Sequence, residues 1–404
     1  MTKAKDIARC ILDYNRGRDP EILRRKFELL RADPYAFYRG TCHLFYQSLP
    51  PHAVLAGAPA LLVCGDLHLE NFGVYKGDNR LPYFDLSDFD EATLAPFTYD
   101  LLRFVASIHV AAQELRLATR QADELGELFV DCYRNWILDG KARWIERSTA
   151  DGMVRDLLGS VIGRTRLQLL KARTIRTDRG RRLRLGDRAL PIEKPQRSEL
   201  KAFIERFGAE QGEQRFYRFL DAARRVAGKG SLGLERYVLL VEGKGSPRGN
   251  YLLDLKRAVR STLPVVAGRR YFPWTTQALR VVTTQRVAQA ISPALLHAVT
   301  IGARSFVLKE LQPMTDRLDL ARWDGRIERL ESTVASMGAA TAWAHLRTCY
   351  RYGACTLEDL QRYVAGSKWQ RLVPALAARC SERSLEQWAA YGKVYDAGGI
   401  MPAS

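Results

Sequence analysis

Several kinds of site are missing from this chain. Its seven cysteines (Cys10, Cys42, Cys64, Cys132, Cys349, Cys355 and Cys380) form no C-x-x-C pair and are odd in number. That argues against a structural zinc site and against a disulfide framework. The six histidines show no metal-ligand spacing, and no nucleophile-elbow sequence accompanies any Ser/His/Asp set. No apolar run is long enough for a membrane span. Met1-Thr2-Lys3-Ala4-Lys5-Asp6 lacks the apolar core of a signal peptide. A reducing cytoplasm is the expected location. Acid is scarce in one place that matters below: between Arg257 and Lys309 there is no Asp or Glu.

What is present fits a globular protein of 404 residues, 47% hydrophobic and 27% charged. That length suits two domains or one two-lobed enzyme. The net charge of +18 favours a polyanionic partner or reflects a generally arginine-rich composition. Residues 171–188 carry eight basic and two acidic side chains, as a solvated insertion or an anion-binding arm.

Helical spacing of Ile7, Ile11 and Leu12, then Ile22, Leu23, Phe27 and Leu30, predicts one or two amphipathic helices ended by Asp33-Pro34. An aromatic segment follows around Arg39-Gly40, and Leu61-Leu62-Val63-Cys64 reads as a buried strand. Tyr75 to Phe84 reads as a hairpin turning at Lys76-Gly77-Asp78-Asn79. Helix is expected from Tyr99 to about Arg147. Strands are expected from 226, at Tyr237–Val241, Tyr251–Lys256 and Ser305–Leu311, with a helix around 277–291. The stretch 325–392 reads as largely helical.

The chemistry concentrates in Gly65-Asp66-Leu67-His68-Leu69-Glu70-Asn71, with Asp88-Phe89-Asp90 seventeen residues beyond Asn71. An Asp, an Asn five residues on and a second Asp are what ATP-dependent phosphotransfer needs: one carboxylate for the acceptor hydroxyl, an amide and a carboxylate for Mg²⁺. Asp66 is the expected catalytic residue, with His68 bracing its loop. Asn71, Asp88 and Asp90 are the expected Mg²⁺ ligands. Arg39 would meet a phosphate or pair with one of the acidic loops.

Gly228, Gly230 and Gly233 match G-x-G-x-x-G, a weak signal alone. Arg224-Arg225-Val226-Ala227 before it makes a poor buried strand, and the residues after it are strand-like, so a dinucleotide fingerprint does not fit. A glycine loop, strand, turn and strand ending in Lys256 is the nucleotide clamp of protein kinases. Gly228, Gly230, Ser231, Gly233 and Lys256 are therefore the expected ATP contacts. The missing acid after Arg257 leaves Lys256 without the helix glutamate of a working kinase. Gln285 would orient it but not balance its charge.

Gly65–Asn71 resembles the H-G-D-x-H-x-x-N catalytic loop of aminoglycoside and choline phosphotransferases, with Cys64 in place of the motif's histidine. Ser87-Asp88-Phe89-Asp90-Glu91-Ala92 is similar to their metal-binding segment. Asp100 looks like the downstream Asp that braces the loop. With Phe37-Tyr38-Arg39-Gly40 and Ala95-Pro96-Phe97, the chain resembles the bacterial family known as domain of unknown function 2252.

The resemblance implies an α+β, two-lobed protein-kinase-like fold whose catalytic half comes first, hence a circular permutation. Residues 1–150 would hold the N-terminal helices and catalytic segment, 151–225 a helical, basic insertion, 226–312 the β-rich nucleotide lobe, and 313–404 the helical remainder of the large lobe. The expected function is an ATP- and Mg²⁺-dependent phosphotransferase acting on an unidentified small-molecule or protein hydroxyl. A non-catalytic nucleotide-binding module, a nucleotidyl transferase and a basic nucleic-acid-binding protein are the alternatives.

Overall fold

The computed structural model describes residues 4–178, 180–263, 274–312 and 317–400. The first residue expected in the C-terminal part, 313, lies outside them. Helices α1 (Ala4–Tyr14) and α2 (Pro20–Ala32) open the chain. The Asp19 carboxylate accepts the Ile22 N–H at 2.9 Å and Pro20 occupies the first turn, a favourable helix start. Asp33 ends α2 and caps α3 (Pro34–Gly40), accepting the N–H groups of Tyr35 and Ala36 at 2.9 and 2.8 Å. The aromatic segment is thus helical, running on into α4 (Cys42–Gln47) and α5 (Ala53–Ala56).

Two small antiparallel pairs carry the segment from Gly65 to Asp90: β1 (Ala60–Val63) with β4 (Thr93–Pro96), and β2 (Phe72–Lys76) with β3 (Pro82–Leu86). The second pair is the expected hairpin. Helices α6 (Thr98–Ala111) and α7 (Thr119–Asp139) follow. The helix expected to reach Arg147 stops at Asp139, because Gly140 takes the left-handed conformation (φ 72°) that closes a C-terminus.

The stretch expected as a helical insertion is only partly helical. It holds α8 (Gly152–Ile162), α9 (Arg166–Arg173), the hairpin β5 (Thr174–Thr177) and β6 (Gly180–Leu183), β7 (Ala189–Leu190), α10 (Lys194–Glu210) and β8 (Phe219–Arg225). The chain continues through β9 (Arg236–Val241), β10 (Tyr251–Arg257), α11 (Gln277–Ala288), β11 (His297–Ile301) and β12 (Arg304–Glu310). Helices α12 (Ile327–Thr348), α13 (Leu357–Ala365) and α14 (Lys368–Asp396) complete it. The fold is α+β.

One antiparallel sheet runs β11-β12-β10-β9-β8-β7, so it begins before residue 226. Its two faces differ. Tyr237, Leu239, Leu253, Leu255, Phe306 and Leu308 face α10, packing with Leu200, Phe203 and Ile204. On the other face Ala223, Val238, Leu240 and Leu252 pack with Leu170 of α9. The same strands place Arg225, Arg236, Asp254, Lys256 and Lys309 in a cleft. The cleft's opposite wall comes from β2 and the Asp88 loop, which rest on the main core of α6, α7, α12 and α14.

Candidate active site

Strand β1 delivers the chain to Gly65, whose φ is 80°. A Cβ there would stand 2.3 Å from the Glu91 carbonyl oxygen, so only glycine fits. The fully buried Asp100, in the first turn of α6, accepts the N–H groups of Cys64 and Gly65, each at 2.8 Å. His345 Nε2 lies 3.3 Å from the same carboxylate, and Tyr133 Oη lies 2.9 Å from His345 Nδ1. Tyr46 donates to Gly65 O at 2.7 Å. The loop that presents Asp66 is therefore fixed by groups from α4, α6, α7 and α12.

Asp66 accepts from Arg103 Nε at 2.6 Å. Arg103 is fully buried, donates to Tyr38 O at 3.0 Å and stacks 4.2 Å from the Tyr38 ring. His68 faces two donors, the Glu70 N–H at Nδ1 (3.1 Å) and Arg39 Nε at Nε2 (3.2 Å); a neutral imidazole accepts at only one. Burial holds His68 well below the usual imidazole value. Arg39 pairs with Glu70, the loop-acid alternative for that residue. Asn71, 1% exposed, accepts the Asp88 N–H at 2.8 Å and donates to Asp66 O at 3.0 Å. In this geometry it joins the two acidic loops, its oxygen also accepting from the Ser87 hydroxyl at 3.4 Å.

Asp88 and Asp90 meet Lys256. Lys256 Nζ is 3.9 Å from Asp88 Oδ2 and forms a tight ion pair with Asp90. Burial alone would raise Asp88, but Lys256 and then Lys309 override it and bring its carboxyl down to about 2. Asp90 moves up, through burial and then the neighbouring Asp88 charge. Arg280 of α11 holds the loop by donating to Asp90 O and Val259 O, both at 2.8 Å, and to Ala92 O. Gln285, the expected orienter of Lys256, donates instead to Gln289 at 3.1 Å. The missing acid partner comes from the Asp88–Asp90 loop.

Sequence reasoning missed the charged floor of this cleft. Asp254, 2% exposed, accepts from Arg236 Nε at 2.9 Å and Arg225 Nη1 at 2.6 Å. Burial favours the neutral form of Asp254, but Arg225 and Arg236 outweigh it and hold the carboxyl far below the usual range. This pairing explains part of β8, whose arginines made it a poor buried strand by composition: Arg225 is neutralised across the sheet by Asp254, and Arg224 by Asp19 at the start of α2. The legible signal was Asp254 two residues before Lys256, hence on the same strand face.

The glycine loop joins β8 to β9. Gly228 borders both halves of the cleft, while Gly230 and Ser231 border the Asp66 half. Gly233 does not line it: at φ 87°, its Cβ position is 2.9 Å from Arg18 Cβ. The loop carbonyls turn to the N-terminal helices. Lys26 Nζ donates to Gly230 O at 2.8 Å, Arg18 Nη1 to Gly230 O and Leu232 O at 2.9 and 3.1 Å, and the Asp19 N–H to Gly233 O at 3.1 Å.

The cleft has two joined cavities. One of about 120 Å³ surrounds Asp88 and Lys256; one of about 60 Å³ surrounds Asp66 and His68. Asp88, Asp90, Gly228 and Arg317 border both. Among the described residues no group of three or more His, Cys, Asp or Glu side chains could hold a metal ion, and no helix is long and apolar enough to cross a membrane. No curated protein matches the chain, and no solved structure does. A family model, that of uncharacterised proteins conserved in bacteria designated DUF2252, matches residues 18–394. Covering nearly the whole chain, the match makes this protein a member of that DUF2252 family.

Proposed function

We propose that the protein is an ATP- and Mg²⁺-dependent phosphotransferase acting on a hydroxyl acceptor, on a two-lobed, circularly permuted protein-kinase-like fold. One observation carries the proposal: Lys256 of the sheet reaches Asp88 and Asp90 of the distant catalytic segment, in a cleft whose adjoining cavity holds Asp66. Strand, glycine loop, strand, turn, lysine strand and then helix α11 is the order of parts in a kinase nucleotide lobe. Here that lobe follows the catalytic segment in the chain.

In this proposal Lys256 and the glycine loop bind the phosphates, and Asp66 orients the acceptor hydroxyl. Asp88 and Asp90 offer the hard oxygens that Mg²⁺ prefers, and two protein ligands suffice when phosphate and water supply the rest. When bound, Mg²⁺ would neutralise the phosphate charge. Both cavities are smaller than the roughly 300 Å³ at which small-molecule pockets begin, so admitting a nucleotide requires Lys256 to leave Asp90 and the walls to part.

Thermal stabilisation by ATP–Mg²⁺ tests this. A shift in the wild type, abolished in Asp88→Ala, is expected; no Mg²⁺-dependent shift at saturating nucleotide would sink the proposal. The Arg103–Asp66 ion pair favours a second reading, a non-catalytic nucleotide-binding module, because it occupies the carboxylate that would take the hydroxyl. ATP binding without turnover in a metabolite phosphorylation screen, unchanged by Asp66→Asn, would select that module.

A further inference from the structure

A separate cavity of about 400 Å³ lies where four chain segments meet. The β2–β3 hairpin contributes Lys76 and Arg80, the α8–α9 junction Arg164 and Arg166, the β9–β10 turn Arg248, and the end of β12 Glu310. Among the described residues, five cations thus line a concave space with one carboxylate, which Arg80 already engages. Its volume falls within the range of small-molecule sites.

These cations are held in place. The Arg166 guanidinium stacks 4.2 Å from the ring of the buried Tyr251, and Arg80 sits 5.7 Å from the same ring. Among the described residues, the buried Arg166 Nε has no hydrogen-bond partner. Lys76 Nζ donates to Arg164 O at 2.8 Å, and Arg164 Nη2 to Ser160 Oγ at 3.1 Å. Cations gathered around a hollow with low-dielectric walls focus a positive field there, which draws in an anion. An ordinary solvated basic face would spread its charges apart. The basic run 171–188 does not line this cavity.

We propose that this cavity binds a small, multiply charged phosphate anion. The convergence of arginines suits phosphate oxygens, which planar guanidinium groups recognise in paired hydrogen bonds. An anion there would tie the sheet to the β2–β3 hairpin and the α8–α9 segment. Gln312 borders both this cavity and the Lys256 cavity, so occupancy would be felt at the end of the nucleotide cleft. The proposal stands independently of phosphotransfer.

Calorimetric titration with pyrophosphate, in about 150 mM salt to screen loose surface attraction, tests it. Wild type is expected to bind, and Arg164→Glu/Arg248→Glu to bind at least about tenfold more weakly. Arg176→Glu, an exposed arginine of the 171–188 run that lines neither this cavity nor the Lys256 cleft, should bind as wild type does. If the double variant melts early, Arg248→Glu alone serves, since Arg248 is exposed. No binding by wild type, binding by the Arg164 and Arg248 variants equal to wild type, or an equal loss in Arg176→Glu would each overturn the site. So would tighter binding of a single-stranded oligonucleotide with the same dependence on Arg164 and Arg248, which would make the cavity part of a nucleic-acid surface.

Discussion

Lys256 Nζ stands 3.9 Å from Asp88 Oδ2 while ion-paired with Asp90, so an ammonium group sits between two carboxylates; under the proposed function a divalent cation would compete with it for them. The cleft is satisfied by its own charges. A ligand must replace those contacts rather than fill an open space.

Removing the lysine should therefore separate metal from nucleotide. In Lys256→Met, the affinity of Asp88 and Asp90 for Mg²⁺ alone should rise about tenfold, since a competing cation is gone. ATP–Mg²⁺ affinity should fall by at least about tenfold, since the phosphate contact is gone as well. Calorimetry of each ligand checks the opposite signs; changes in the same direction would refute the competition.

Asp66 has a structural debt to Arg103. Asp66→Ala leaves a fully buried guanidinium without its carboxylate and should cost about 3–5 kcal/mol in urea denaturation. Asp66→Asn, able to accept one hydrogen bond, should cost less. A purely catalytic Asp66 would leave stability unchanged.

Asp100→Ala would strip acceptors from the buried N–H groups of Cys64 and Gly65. At about 1–3 kcal/mol for each unsatisfied group, a loss of about 2–6 kcal/mol is expected, read by chemical denaturation. Faster amide exchange at Gly65 would locate the damage.

The Asp254 carboxyl sits well below its unfolded value of about 3.9, held there by Arg225 and Arg236 against burial. Its stabilising contribution is complete above that unfolded value and is lost as pH falls toward the depressed folded one. Asp254→Asn should thus be strongly destabilised at neutral pH and lose less further stability than wild type on acidification. Denaturation midpoints measured from pH 7 down to 3 check this; parallel curves would contradict it.

Lys26 fixes the glycine loop through Gly230 O. Lys26→Ala should speed hydrogen exchange across 228–234 by about tenfold, the equivalent of roughly 1.4 kcal/mol of local opening, while β9 and β10 stay protected. Uniform exchange across the sheet would show a global defect instead.

Local chemistry determined much from the sequence alone. The hairpin after Tyr75, the strands at 237–241 and 251–256 and the helical C-terminal stretch follow from side-chain periodicity and turn residues. Asp66, Asn71 and Asp88 stood out because their spacing lies within one short segment. The absence of acid after Arg257 left the partner of Lys256 open. Only the tertiary structure decided that partner, because the Asp90 carboxylate approaches from a part of the chain no local pattern connects to Lys256. The same holds for Arg103 against Asp66 and for Arg225 and Arg236 around Asp254. A charged side chain looks solvent-facing in sequence, and its burial becomes tolerable only where folding brings an opposite charge against it.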